Sequence, residues 1–221
     1  MKKIVFSLLC ALFIACTVNA QDDYPVFSVG ANAGWDHNTN AYRLTSDENA
    51  SFTGEPNQFN IGLDFGVRMT KKFRPRLELR YVNMAYHMNW NSTDYPDFEK
   101  TDCNINYFDL NLHLDYSLFT VNKLEVFVSP AIKWEQKSGD FVKTYKNDGS
   151  APMTGRFTAI KKEYPGNIAG GAASMIFKYN FNKHLGLTLT PEYTYFFRDF
   201  VKTNNKSYQR FNVNAGFEFT F

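Results

Sequence analysis

Arg210-Phe211-Asn212-Val213-Asn214-Ala215-Gly216-Phe217-Glu218-Phe219-Thr220-Phe221 runs to the C-terminus in unbroken alternation, with apolar residues at every odd number and polar or small residues between them. Successive side chains of a β-strand point to opposite faces, so one face of this segment is greasy while the other carries Arg210, Asn212, Asn214, Glu218 and Thr220. A stripe of that kind, ending on an aromatic residue, suits a strand with lipid on one side and a polar interior on the other. The expected architecture is therefore all-β, an antiparallel up-and-down transmembrane barrel.

The N-terminal residues point to export. Lys2 and Lys3 precede an apolar run from Ile4 to Ala15, and Val18-Asn19-Ala20 ends in small residues before Gln21, so residues 1–20 read as a cleavable signal peptide and 21–221 as the barrel domain. The apolar run is about a dozen residues, short of the roughly 20 that span a bilayer as a helix, and no later run approaches that length. The leader takes two of the 24 basic residues and none of the 22 acidic ones, so the mature chain balances at 22 of each. Net attraction to nucleic acid is not expected. Cys10 and Cys16 fall in the leader, which leaves Cys103 alone and rules out an internal disulfide. Cys103 reads either as a reactive thiol or as a small residue at a strand start. Cys16 stands in a weak acylation context, with Phe13 where that signal prefers leucine.

Eight alternating segments follow: Val26 to Asp36, Gln58 to Met69, Pro75 to Trp90, Asn104 to Leu118, Leu124 to Glu135, Asn167 to Lys178, His184 to Phe197 and Tyr208 to Phe221. Each is long enough for the roughly 9 to 11 residues of a tilted membrane strand. Short links at Thr70 to Arg74, Phe119 to Lys123 and Tyr179 to Lys183 alternate with long ones at His37 to Asn57, Asn91 to Cys103, Gln136 to Gly166 and Arg198 to Ser207. Short turns at one end and long loops at the other are expected of periplasmic and outer ends.

Charges should avoid the lipid face, where Lys or Arg at mid-membrane costs about 2 to 4 kcal/mol. They do. Asp64 and Arg68 alternate with Ile61, Leu63, Phe65 and Val67; Asp109, His113 and Asp115 with Leu110, Leu112 and Leu114; Glu125 and Lys133 with Leu124, Val126, Val128 and Ile132. Glu192 opposes Leu187 and Leu189, and Glu218 opposes Phe217 and Phe219. The third segment changes rhythm, from Leu77, Leu79 and Tyr81 to Val82, Met84, Tyr86, Met88 and Trp90, which predicts a bulge near Tyr81. Ile105-Asn106-Tyr107 followed by Phe108-Asp109-Leu110 predicts a similar slip next door. Pro130 and Pro191 cannot donate to a ladder and are expected at further bulges. Trp35, Trp90, Trp134 and Tyr195 are placed at the outer aromatic girdle, and Phe73, Tyr116, Phe119, Tyr179 and Phe181 at the inner one.

The opening Phe27-Ser28-Val29-Gly30-Ala31-Asn32-Ala33-Gly34-Trp35, the segment Leu187-Thr188-Leu189-Thr190-Pro191-Glu192-Tyr193-Thr194-Tyr195 and the aromatic end resemble the PorT-like outer-membrane β-barrel proteins of the Bacteroidetes, related in plan to the OmpX and OmpA barrels. The resemblance covers about Val26 to Phe221. It implies an integral outer-membrane protein of eight strands, and it brings no catalytic, cofactor-binding or metal-binding residue with it.

In so narrow a barrel the lumen is expected to be filled by side chains. Asp64, Glu78, Asp109, Asp115, Glu125, Glu135, Glu192 and Glu218 face Arg68, Arg80, Lys133, Lys178 and Arg210, an excess of acid that leaves a narrow cation-preferring pore as an alternative. His37, His87, His113 and His184 scatter over four segments; only His113 shares a face with a nearby acid, Asp115, which keeps a lipid-modifying enzyme open as a second alternative. No metal-ligand spacing, phosphate loop or dinucleotide motif accompanies it, and no cofactor is expected. A secreted soluble barrel around an apolar ligand is the first rival, ranked above the pore and the lipid enzyme.

The leading expectation is a noncatalytic outer-membrane barrel, in contact with lipid, acting in a structural, adhesive or secretion-assembly role through its outer loops. The first two loops carry net acid: Arg43 against Asp47, Glu48 and Glu55, then Lys100 against Asp94, Asp97, Glu99 and Asp102. The third carries Lys137, Lys143, Lys146, Arg156, Lys161 and Lys162. Asn147-Asp148-Gly149-Ser150 is a strong turn signal between Phe141 to Tyr145 and Arg156 to Ile160, so a protruding basic hairpin is expected there. It could meet a protein or glycan partner, or be neutralised by the acidic loops beside it.

Overall fold

The computed structural model describes residues 27–39, 50–54, 57–90, 97–155, 166–199 and 207–221. The leader and Cys16 lie outside them. Ten strands are formed: β1 (Phe27–Thr39), β2 (Ala50–Gly54), β3 (Asn57–Val67), β4 (Phe73–Trp90), β5 (Phe98–Val121), β6 (Leu124–Lys146), β7 (Met153–Gly155), β8 (Asn167–Asn180), β9 (Leu185–Asp199) and β10 (Ser207–Thr220). Eight of them close a ring in the order β1, β3, β4, β5, β6, β8, β9, β10, with β10 antiparallel to β1 from Ser28–Thr220 to Thr39–Gln209. Closure leaves the ring no unpaired edge.

The barrel is inside out relative to a soluble protein. Leu63 is 60% exposed, Leu112 47%, Val128 37% and Leu187 40%, whereas Asp109, Asp115, Lys133 and Arg210 are 0% exposed. Outward Phe108, Leu110, Leu112, Leu114, Tyr116 and Leu118 trace one such stripe on β5. At about 3.3 Å per residue and a tilt near 40°, that stripe rises about 25 Å, the height of a hydrocarbon band. Val126 departs from the expected lipid face: it is 2% exposed beside Leu118, where the β5–β6 register shifts between Ser117 and Phe119.

The bulge expected near Tyr81 is absent. The β3–β4 and β4–β5 ladders pass Tyr81 without a shift, and even-numbered residues of β4 face inward from Arg74 through Met84. What changes is the environment. Below this level the outward residues are apolar; above it they turn polar, with Asn83, His87, Asp102, Asn104 and Asn106, while Val82, Met84, Cys103, Ile105, Tyr107, Val142 and Ile168 are all at most 3% exposed inside, beside buried Asn38, Gln58 and Asn60. Cys103 accordingly sits within β5 rather than at a strand start. The neighbouring slip does fall between Asn106 and Tyr107, but the extra residue, Ser138, is on β6; residues 105, 107 and 109 of β5 keep one face.

The prolines also behave otherwise than expected. At Pro130 the β5–β6 ladder skips the rungs between His113–Ala131 and Tyr116–Val128, and at Pro191 the β8–β9 ladder skips those between Ser174–Glu192 and Phe177–Leu189. Each resumes in its former register, so a local opening accommodates the ring without a bulge.

Part of the expected loop is strand. β4, β5 and β6 run beyond the band, joined by β2 on β4 (Ala50–Trp90 to Gly54–Tyr86) and β7 on β6 (Thr144–Met153 to Val142–Gly155), to form an outer sheet. The turn at 147–150 is where the sequence placed it, with Gly149 at φ 73° and the Ser150 amide donating to Asp148 at 2.9 Å. Hydrogen bonds from the Ser150 side chain and then its amide hold the Asp148 carboxyl below its ordinary range. The returning arm is Met153 to Gly155 rather than Arg156 to Ile160; residues 156–165 lie outside the described ones.

Trp35, Trp134 and Tyr195 face outward at 42%, 54% and 42% exposure, as a girdle requires. Trp90 does not join them. It lies in the outer sheet, where its indole N–H donates to Thr101 Oγ1 at 2.9 Å and Thr101 meets Thr144 at 3.0 Å. At the other end Tyr116, Phe119, Tyr179 and Phe181 are exposed as expected, joined by Phe219 and Phe221.

Candidate functional site

Inward parity brings the charged residues of β3 to β10 into one column. At the periplasmic end Arg68 Nη2 donates to both oxygens of Glu125 at 2.9 and 3.0 Å. Arg74 donates to Asp115 at 2.9 Å and to Glu218 at 2.7 Å, with its guanidinium 4.8 Å from the Phe127 ring centre. Arg76 reaches the same Asp115 at 3.1 Å, and Lys178 reaches Glu218 at 2.5 Å. Midway, Arg80 donates to Glu78 at 2.8 Å and Glu192 at 3.4 Å, while Lys133 donates to Glu192 at 2.5 Å. Near the top Arg210 holds Asn38 at 3.1 Å and both Asp109 and Glu135 at 3.2 Å, under the Phe196 ring at 5.3 Å. Amides complete the packing: Asn60 donates to Asp36 at 2.9 Å, and Asn32 to Glu78 at 2.9 Å.

The acid excess is smaller than the sequence suggested. Among the described residues ten inward carboxylates, with Asp36 and Asp140 now added, meet eight bases because Arg74, Arg76 and Lys137 also point inward, and His113 stands with them. Arg74 ends a short link and Arg76 follows Pro75 in the sequence, yet 74, 76, 78 and 80 share one parity. The inward amides and hydroxyls, Asn32, Asn60, Asn111, Ser129 and Asn212, follow the same period.

Glycines make the room. A Cβ on Gly30 would lie 2.5 Å from the Asp64 carboxylate, one on Gly66 2.6 Å from Ser28 Oγ, and one on Gly186 2.7 Å from the Lys178 chain. The cavity left among Asn32, Arg76, Glu78, His113, Asn214 and neighbouring residues measures about 20 Å³, space for a water molecule rather than a passage. Unbonded Arg76 Nη2 and Asn214 side-chain atoms border it, the usual setting of a buried water.

His113 and Asp115 do share the inward face, though a serine stands between them. Ser129 donates its hydroxyl proton to Asp115 at 2.6 Å, so it accepts from His113 Nδ1 at 3.2 Å; His113 Nε2 lies 3.2 Å from Glu78. A general base must receive the proton of its nucleophile, and here the serine proton is committed to Asp115. All four groups are at most 1% exposed, with no space for a substrate. The other histidines stay apart: His37 stacks on Trp35, His87 meets Asp102 at 2.6 Å, and His184 meets the Thr220 carbonyl at 2.8 Å. Among the described residues no group of three or more His, Cys, Asp or Glu is placed to hold a metal ion.

The described part of the outer sheet is mixed in charge rather than basic. Between Asp97 and Gly155, Lys100, Lys137, Lys143 and Lys146 meet Asp97, Glu99, Asp102, Asp140 and Asp148. Lys143 lies opposite Asp102 in register, Lys137 pairs with Asp140 at 2.5 Å, and Lys100 and Lys143 lie 4.8 and 5.2 Å from the Tyr145 ring. The acidic second loop supplies strand β5, which brings its carboxylates beside the lysines of the third.

The family model for the outer membrane protein beta-barrel domain matches residues 8–219. The chain belongs to that family. Its outer-membrane beta-barrel fold is shared with Neisserial surface protein A, at 13% identity and a TM-score of 0.54 over 88% of this chain and 97% of that one. OprG of Pseudomonas aeruginosa gives 13% identity and a TM-score of 0.55 over 90% and 96%. No curated protein sequence matches. At these identities the shared property is architecture, and with it the cell outer membrane as the site of this outer-membrane beta-barrel protein. That location, together with the outward leucines, overturns the soluble ligand-binding alternative.

Proposed function

We propose that this outer-membrane barrel is noncatalytic and nonconducting, and acts through the sheet it projects from the membrane in a structural or adhesive role. The observation that carries this reading is the closure of the lumen by a column of mutually bonded charges, with Val82, Met84, Ile105, Tyr107 and Ile168 buried among its upper members. Ions would have to break these buried pairs to pass. In planar bilayers the refolded protein is expected to give no resolved conductance steps; sustained cation-selective steps would replace this reading with the pore.

The surface role has its own test. Crosslinked outer membranes should yield a partner that is lost when the β6–β7 tip, residues 143–155, is replaced by a short turn. Recovery of the same partners with the shortened chain would remove the outer sheet from consideration. The finer kinship with PorT-like proteins of the Bacteroidetes rests on the opening Phe27 to Trp35 and the Leu187 to Tyr195 segment, and a secretion-assembly role would be the form of partnership it favours.

A further inference from the structure

Among the described residues the side-chain charge exposed at the periplasmic end has one sign. Three turns close this end, at residues 68–73, 119–124 and 179–185; they contain Arg68, Lys71, Lys72, Lys123, Lys183 and His184 and not one Asp or Glu. Arg68 is turned inward on Glu125, but Lys71, Lys72, Lys123 and Lys183 are exposed. The outer sheet, by contrast, interleaves both signs.

The turns are fixed in place by backbone bonds to their neighbours. The Ser117 amide donates to the Lys72 carbonyl at 2.7 Å, the Asn180 amide to the Lys123 carbonyl at 2.8 Å, and the Thr220 amide to the His184 carbonyl at 2.6 Å. Each lysine-bearing turn is thus tied to the next hairpin around the ring. Asn122 adopts φ 53°, a left-handed conformation that asparagine tolerates, and this tightens the middle turn. The lysines therefore have defined positions on the rim rather than hanging from long loops.

The height of two of them, Lys72 and Lys123, is defined as well, and Lys183 shares their rim through the third turn. Lys72 Nζ lies 6.0 Å from the ring centre of Tyr116, itself 44% exposed at the end of the lipid-facing stripe of β5. Lys123 Nζ donates to the Phe181 carbonyl at 3.4 Å, and Phe181 is 45% exposed beside Tyr179. Aromatic rings of this kind mark the headgroup level, and a lysine whose methylene stem lies along them carries its ammonium into the phosphate layer.

We propose that Lys72, Lys123 and Lys183 form a collar that binds the phosphate of anionic phospholipids in the periplasmic leaflet. The occupant is a lipid rather than a soluble anion because the ammonium groups lie at the membrane boundary beside lipid-facing rings, not around a cavity. Charge complementarity at an anionic surface concentrates such lipids around basic side chains and fades within a Debye length. The inference is independent of whether the lumen conducts. The acidic pair Asp22–Asp23 precedes β1 in sequence and lies outside the described residues, so the test uses the full mature chain.

The mature protein is reconstituted in nanodiscs containing phosphatidylcholine and phosphatidylglycerol, and the lipid retained next to it is counted by native mass spectrometry. The wild type is expected to enrich phosphatidylglycerol about five- to tenfold, less at 0.5 M salt. The triple variant Lys72→Gln/Lys123→Gln/Lys183→Gln should lose most of that enrichment, whereas replacement of the same three residues by arginine should keep it. Heat-modifiable gel migration verifies that each variant is folded. An unenriched wild type, or a glutamine variant with undiminished enrichment, would overturn the collar. Equal loss on substituting Lys100 and Lys143 of the outer sheet would overturn it too, by removing its sidedness.

Discussion

Arg210→Met is expected to destabilise the folded barrel by about 3 to 5 kcal/mol, the penalty for removing one partner of a buried ion pair. Arg210 is 0% exposed and supplies cationic donors to Asp109 and Glu135 at once, besides its bond to Asn38. Without it two carboxylates sit close together in a dry layer, with Lys133 already committed to Glu192. Urea titration of the refolded protein in lipid, followed by the loss of heat-modifiable migration, measures the effect. Adding Asp109→Asn and Glu135→Gln to Arg210→Met should recover much of the loss, because the stranded charge disappears with its counterion. If the triple variant is no more stable than the single one, packing volume rather than charge pairing governs this layer.

The second large effect compares two positions on the same face of one strand. Leu112→Arg places a cation in the middle of the lipid-facing stripe of β5 and is expected to cost about 2 to 4 kcal/mol. Asn106→Arg points the same way six residues higher, beyond Phe108, among outward polar residues; its expected cost is about 1 kcal/mol, from the lost hydrogen bond of Asn83. The same urea titration reads both. Equal penalties at the two sites would mean that hydrocarbon reaches Asn106, and the reversal of polarity above Phe108 would then need another cause.

Lipid and a charged interior impose opposite demands on successive residues, which is why the eight ring strands and the outward Leu63, Leu112, Val128 and Leu187 were readable from alternation alone. Alternation states which residues share a face, however, and not what touches that face. Val82, Met84 and Ile105 looked like a strand that had slipped, when in fact the surroundings had changed while the strand continued. Trp90 was misplaced for the same reason, since an aromatic residue near a strand end marks a girdle only if the strand ends at the membrane. Pairing across the lumen was less accessible still: Arg74 and Glu218 are 144 residues apart, and nothing local announces their contact. Ser129, which intervenes between His113 and Asp115, could have been found by parity on β6 but not matched to its partners.

The glycine floor of the lumen divides the wall into residues that can drift and residues that cannot. At Gly30, Gly62 and Gly216 even a methyl group would press on Asp64 or Asn32, and at Gly34 it would collide with the Val213 carbonyl and Asn214. The outward neighbours Val29, Ala31, Ile61 and Leu63 meet fluid hydrocarbon, which accepts any greasy shape. Homologous chains are therefore free to diverge on every second residue while the intervening ones are held, so two barrels with the same interior need share little more than half their letters along a strand.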